Sequence, residues 1–380
     1  MTPPASHGDR PHKVYVLAGE ASGDVHAARV LEVALAVEPE LRMRGMGGDE
    51  MERLGVGLVE HIRNTSIMGF AEVLSRLGFI RRLLKRVKED IAKFQPDRIL
   101  LVDYPGFNLR IAQWAQSQGM SVDMYISPQV WAWKAHRVHR IARDIDRLHV
   151  ILPFEPACYQ GLDLEVEYVG HPLLESIDLD SPWDDAQHQV WCSQHGLDTQ
   201  RPILALLPGS RKQELQRMLP VFSATANALP EWQPVIAGAP GRTASDYPTD
   251  MPVLFGETRT LYKAADLGLI TSGTATLEAA LSGLPQVVAY RTSPLTYQIA
   301  RAFSKVDSIS LVNLILGREA VPERIQKDCR PEALVAALRD IASGAGRQQQ
   351  QEDQTELRLT LTKSGASQRV ANALLRPLEH

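Results

Sequence analysis

Lys13-Val-Tyr-Val-Leu-Ala-Gly-Glu-Ala-Ser-Gly-Asp24 decides the fold class. Lys13 to Ala18 has the β-branched and aromatic content of a buried strand. Gly19 to Asp24 breaks that pattern with glycines and short polar side chains, which is a turn, and a helical pattern then runs to about Val37. The same order recurs. Arg98-Ile-Leu-Leu-Val-Asp103, Ser121-Val-Asp-Met-Tyr-Ile126 and Arg147-Leu-His-Val-Ile-Leu152 read as further strands with helices between them. Such alternation implies βαβ units and a parallel sheet covered on both faces.

The pattern restarts in the second half. After Gly170-His-Pro172, the acidic stretch Asp178-Leu-Asp-Ser-Pro-Trp-Asp-Asp185 reads as a linker, and Pro202-Ile-Leu-Ala-Leu-Leu207 opens a new series. Trp232–Ala237, Met251–Phe255, Asp266–Ile270 and Pro285–Tyr290 continue it, and the polar tail from Gln348 reads as a surface helix. The expected fold is α/β: two doubly wound domains facing each other across a cleft, with ligands at the carboxyl ends of the strands. The boundaries fall at 1–177 and 178–344, with a C-terminal helix over 345–380 packing back on the first domain.

Composition narrows the class. The 380 residues are 44% hydrophobic and 23% charged, with 41 basic and 45 acidic side chains for a net charge of −4. That suits real cores and gives no sign of nucleic-acid binding. Met1 to Lys13 lacks the apolar segment of a signal peptide, and no apolar run approaches the roughly 18 residues of a membrane span. Cys158, Cys192 and Cys329 lack CxxC spacing and read as thiols in a reducing compartment. The reading is a cytoplasmic protein.

Two turns of the second half suit a diphosphate. Leu206-Leu-Pro-Gly-Ser-Arg211 ends a strand before a helix: Gly209 permits close backbone approach, Ser210 offers a hydroxyl and Arg211 a fork of donors. Leu269-Ile-Thr-Ser-Gly-Thr-Ala-Thr-Leu-Glu278 repeats the arrangement, with Ser272, Gly273, Thr274, Ala275 and Thr276 supplying unhindered N–H groups and hydroxyls. Glu278, about one turn into the helix, is placed to accept from ribose hydroxyls. Neither turn is a Walker A or GxGxxG motif.

The first half offers polar loops suited to a sugar acceptor. Glu20, Ser22, Gly23 and Asp24 lie in the first turn, where two carboxylates would repel a pyrophosphate; Asp24 also reads as a plain helix cap. Val102-Asp-Tyr-Pro-Gly-Phe-Asn108 ends another strand, with Asp103 at its tip and Asn108 beyond. Ser127-Pro-Gln-Val-Trp-Ala-Trp133 follows the next, offering Gln129 and the indole faces of Trp131 and Trp133.

From Met68 to Lys88, Phe70, Val73, Leu74, Leu77, Ile80, Leu84 and Val87 recur at helical spacing beside Arg76, Arg81, Arg82, Lys85, Arg86 and Lys88. A bilayer interface with anionic head groups would take such a segment, as would an ordinary core-facing helix with a basic outer face. Phe79 and Leu83 fall off the main stripe and broaden the apolar surface. A second basic run spans Lys134 to Arg147; His136 and His139 have no carboxylate or cysteine at metal-ligand spacing, so no metal site is read there.

Together these segments resemble the signatures of lipid-A-disaccharide synthases. They are Gly19–Asp24, Met68-Gly-Phe-Ala-Glu-Val-Leu74, Asp103–Asn108, Ser127-Pro-Gln-Val-Trp-Ala-Trp-Lys134, Leu207-Pro-Gly-Ser-Arg211, Thr271–Glu278 and Leu311-Val-Asn313, in order from about residue 13 to residue 340. The resemblance implies a GT-B glycosyltransferase of two Rossmann-like domains. It would move 2,3-diacylglucosamine from its UDP derivative onto 2,3-diacylglucosamine 1-phosphate (lipid X), form a β-1,6 disaccharide with inversion and release UDP. It implies Glu20 and Asp103 as acceptor-side active-site residues and Arg211, Glu278 and Asn313 on the donor side, with no metal or other cofactor. It also implies peripheral attachment to the anionic inner face of the inner membrane, and a homodimer is compatible with it. Gly106 departs from the family, which often has an acid there, and this leaves Asp103 as the only carboxylate of its loop. Competing readings are a UDP-N-acetylglucosamine 2-epimerase, a peptidoglycan transferase, or a non-catalytic nucleotide-sugar-binding protein that docks on membranes.

Overall fold

The computed structural model describes residues 11–64, 77–132, 136–177, 183–303, 306–361 and 363–376. These fall into two units, one of residues 1–175 with 363–380 and the other of residues 176–362.

In the first unit, β1 (Lys13–Ala18) is buried from Val14 onward. It joins β2 (Arg42–Gly47), β3 (Gly57–His61), β4 (Arg98–Val102), β5 (Val122–Tyr125), β6 (Arg147–Val150) and β7 (Glu165–Tyr168). The order is β3-β2-β1-β4-β5-β6-β7, all parallel. Alternate residues go to opposite faces, as strand geometry requires. Val14, Val16, Ala18, Leu100 and Val102 pack on one side with α1 (Ala21–Val37) and α14 (Ala366–Leu375). Tyr15, Leu17, Ile99 and Leu101 pack on the other with α3 (Leu77–Phe94), α4 (Pro105–Ser117) and α5 (Arg137–Asp144). A short α2 (Asp49–Arg53) follows β2.

The second unit repeats the plan. Its strands are β8 (Ile203–Leu207), β9 (Gln233–Gly238), β10 (Val253–Phe255), β11 (Leu267–Thr271), β12 (Gln286–Tyr290) and β13 (Glu323–Ile325), in the parallel order β10-β9-β8-β11-β12-β13. Its helices are α6 (Asp185–Gln194), α7 (Lys212–Asn227), α8 (Thr258–Ala264), α9 (Thr274–Leu281), α10 (Pro294–Phe303), α11 (Leu311–Leu316), α12 (Pro331–Ala342) and α13 (Gly344–Thr360). In each unit the chain leaves the first strand toward one edge and later crosses to the other side of it. The switch points are β1/β4 and β8/β11, where open α/β sheets bind ligands.

Two expectations need correction. The segment 345–380 does not act as one helix: α13 belongs to the second unit and α14 to the first. The polar tail from Gln348 does form a mostly exposed helix, α13, but one polar face of it is buried. Gln350, Asp353 and Gln354 on α13 are buried, and the Gln350 amide accepts from Gln286 N–H (2.9 Å) and donates to Gln286 C=O (3.0 Å). Leu83 is not off the stripe of α3 but on it: Leu83, Val87 and Ile91 are all in the core. Phe79, Ile80 and Leu84 pack against that core while partly exposed, and Arg81, Arg82 and Lys85 face solvent. The described part of this helix is therefore core-facing with a basic outer face. Met68, Phe70 and Leu74, and the Leu77 side chain, lie outside what is described. Among the described residues no helix is long and apolar enough to cross a membrane.

Candidate active site

Ala18 pairs with Val102 at the carboxyl ends of β1 and β4, so Glu20 and Asp103 both lie just past the first unit's switch point. Asp103 (φ 47°) and Tyr104 (φ 48°) hold consecutive left-handed backbone, and Ile126 (φ 68°), one strand over, does the same. The Tyr104 ring lies over Gly19, where a Cβ would meet it at 2.1 Å. Asn108 is fully buried and donates to the carbonyls of Asp103 (2.7 Å), Leu17 and Val102 (both 3.3 Å). The bend that presents Asp103 is thus fixed from below by an asparagine and from the side by a tyrosine. Burial raises the Asp103 pKa and the Glu20 charge raises it further, against a lowering contribution from the Tyr104 N–H. Glu20 is exposed at the N-cap of α1 with no capping bond. Glu20, just past the neighbouring strand end, is the carboxylate whose charge reaches Asp103.

Several expected acceptor contacts serve the scaffold instead. Asp24 is buried and accepts from the N–H groups of Gly48 (2.6 Å), Glu50 (3.0 Å) and Met51 (3.2 Å), capping α2. Asn108 braces the Asp103 loop as described, and Gly23 is packed under α1 against Ala18 and Val102. Trp131 is half-buried, edge-on to Phe154 (5.4 Å), beside a Glu155 whose burial lifts its pKa to about 7. Ser22 and Gln129 are exposed, while Trp133 lies outside the described residues.

In the second unit the two turns expected to hold a diphosphate end β8 and β11, which pair directly. They differ. The N-terminus of α7 is already filled: Glu214 Oε2 accepts from the N–H groups of Ser210 and Arg211 (both 3.1 Å), and Gly209 (φ 111°) leaves room for that carboxylate. The amides expected to hold phosphate are thus taken by an internal anion. The Arg211 guanidinium is 83% exposed and only loosely paired with Glu214 (3.3 Å), so it keeps free donors. The N-terminus of α9 has no side-chain cap, and open space lies in front of Gly273. Gly273 and Thr274 are exposed and Ala275 partly so.

Ser272 and Thr276 spend their hydroxyls on the backbone, donating to Ile309 C=O (2.9 Å) and Gly273 C=O (2.8 Å), and Thr276 is fully buried. Asn313 is buried and saturated: its amide donates to Val321 C=O (2.9 Å) and Glu323 (2.8 Å) and accepts from Ala320 and Val321 N–H (both 2.8 Å). Glu323 in turn accepts from Ile309 and Ser310 N–H. Asn313 therefore supports the loop that holds Ser272 rather than reaching a ligand itself. Glu278 is paired with Arg259 (3.0 Å). Tyr104, Glu214, Arg259 and Glu323 escaped the sequence reading; a carboxylate at the third helical position was the only available signal, and only for Glu214.

The fold is shared with a UDP-GlcNAc 2-epimerase from Neisseria meningitidis, in a structure bound to UDP-GlcNAc (TM-score 0.66, 10% identity, 96% of this chain and 100% of that one). A structure described as the glycotransferase of kitacinnamycin is also similar (TM-score 0.62, 16% identity, 96% and 98%). This is the GT-B class, two Rossmann-like α/β domains in one chain. The model of the family described as lipid-A-disaccharide synthetase matches residues 14–376. Lipid-A-disaccharide synthase of Myxococcus xanthus (strain DK1622) is 38% identical over 377 residues, 96% of this chain and 97% of that protein. That of Syntrophus aciditrophicus (strain SB) is 38% identical over 371 residues, 94% and 96%. The chain belongs to the lipid-A-disaccharide synthase family: it is a glycosyltransferase that forms the lipid A disaccharide. The epimerase, peptidoglycan-transferase and non-catalytic readings give way to it.

Proposed function

We propose that the donor is UDP-2,3-diacylglucosamine and the acceptor 2,3-diacylglucosamine 1-phosphate, joined β-1,6 with inversion and release of UDP. Membership of the lipid-A-disaccharide synthase family supports these substrates. The observation that carries the chemistry is the carboxylate pair at the first switch point, Asp103 in its left-handed bend with its pKa raised by burial and by Glu20. A primary hydroxyl is a poor nucleophile, and a carboxylate with a raised pKa is a better acceptor for its proton. Asp103 is the base and Glu20 the neighbour that tunes it. Charge on the departing diphosphate is met by Arg211 and the uncapped N-terminus of α9, a stabilisation by preorganised donors that needs no metal. Glu278 takes the ribose hydroxyls. Asp103→Asn should lower turnover about 10²–10⁴-fold, the usual share of a general base, and leave UDP affinity intact because the donor turns lie in the other unit. If Asp103→Asn keeps near-normal turnover while Glu20→Gln abolishes it, the base is Glu20.

The lipid chains call for a membrane surface. Arg81, Arg82 and Lys85 project from the solvent side of α3, and cations so placed suit the anionic cytoplasmic leaflet of the inner membrane. Phe79, Ile80 and Leu84, only partly covered by the core, lie beside them.

A further inference from the structure

Arg259 lies in the first turn of α8, in a segment that no donor motif includes. Its Nε donates to Glu278 Oε1 at 3.0 Å and its Nη1 to the backbone carbonyl of Ser176 at 2.5 Å. Ser176 is the first residue of the second unit, so both anchors of Arg259 belong to that unit. The guanidinium is therefore held at two points, whereas an ordinary surface arginine floats. Glu278 is only 18% exposed against 53% for Arg259, so the pair buries the carboxylate end more than the cation. The Tyr262 hydroxyl, close enough for the charges of both to act on it, is buried with no hydrogen-bond partner among the described residues. An unanchored glutamate there would have several rotamers; this one has a fixed cation on one oxygen, which leaves the other to accept.

We propose that Arg259 is a positioning residue for the donor nucleotide: anchored on the Ser176 carbonyl, it fixes one oxygen of Glu278 so that the other meets the ribose hydroxyls. This rests on the reading of Glu278 as the ribose acceptor. Arg259 touches neither phosphate nor sugar, so its contribution vanishes whenever the ribose hydroxyls or the carboxylate are absent. A general structural role would not behave that way.

Calorimetry with UDP and with 2′,3′-dideoxy-UDP tests it on the full chain, using Arg259→Gln, Arg259→Lys, Glu278→Gln and the double variant. Arg259→Gln and Glu278→Gln should each weaken UDP about tenfold, the lower end for a charge-assisted hydrogen bond, and leave dideoxy-UDP unchanged. The double variant should be no worse than either single one, and lysine should recover part of the loss. In turnover, Arg259→Gln should raise the donor KM with kcat little altered. The proposal falls if Arg259→Gln weakens both nucleotides alike, adds to Glu278→Gln, or changes nothing. If Glu278→Gln itself keeps the preference for UDP over dideoxy-UDP, the ribose reading of Glu278 has failed and the proposal falls with it.

Discussion

Asp103 and Tyr104 both hold left-handed backbone, which costs about 1–3 kcal/mol at each non-glycine residue. Asparagine tolerates that conformation and carries no charge to bury. The folded pKa of Asp103 is raised, so whatever stability the carboxyl contributes is full below its unfolded pKa and lost as pH rises through the folded one. Asp103→Asn should therefore melt at or above the wild-type temperature at neutral pH, with the advantage disappearing in acid, even as it loses turnover. The acid limb of kcat/KM should lie above the ordinary carboxylate range. A variant that melts well below wild type at neutral pH would contradict the assignment of a strained, desolvated base. Glu155 gives an independent check, since burial lifts its pKa to about 7. Wild-type stability should decline from the ordinary carboxylate range up to about pH 7, and Glu155→Gln should flatten that slope in thermal melts.

At the scale of elements, α3 separates two roles that its sequence mixes. Ile91 is fully buried, so Ile91→Ala should cost about 2–5 kcal/mol in a denaturant titration. Replacing Arg81, Arg82 and Lys85 by glutamine should leave stability within about 0.5 kcal/mol, as for ordinary surface changes. At about 1 kcal/mol per cation near an anionic surface, the same triple variant should lose on the order of a hundredfold in partition to anionic vesicles at low salt. Unchanged flotation would remove these cations from the membrane account. The paired donor turns carry a similar lesson. The residues between β8 and α7 and between β11 and α9 look alike in sequence, yet Glu214 fills the first helix N-terminus and leaves the second open.

Across the whole molecule, the chain's two ends share a unit: α14 packs on the face of the first sheet that α1 covers, after the second unit has been completed. Arg147 and Arg98, both buried, donate to the carbonyls of Ala373 (2.7 Å) and Arg376 (2.8 Å) at the end of that helix. Leu374→Ala should destabilise the first unit by about 2–5 kcal/mol while a calorimetric transition of the second stays in place. The central strands were legible because β1, β4, β5, β8 and β11 are near-continuous apolar runs followed by turn residues. The strands missed were Arg42-Met-Arg-Gly-Met-Gly47, Gly57–His61, Glu165-Val-Glu-Tyr168 and Glu323–Ile325, which are short or interleaved with charge. The loops of the site were legible for the same reason as the strands they follow. The roles of Asp24, Asn108, Thr276 and Asn313 were not, because a buried polar side chain bracing a loop and one reaching a ligand have the same sequence. The most direct measurement is UDP release by the purified protein from UDP-2,3-diacylglucosamine, with and without 2,3-diacylglucosamine 1-phosphate. Release is expected only when the acceptor is present, matched mole for mole by a β-1,6 disaccharide 1-phosphate. Release at the same rate without acceptor, or consumption of acceptor with no disaccharide formed, would contradict it.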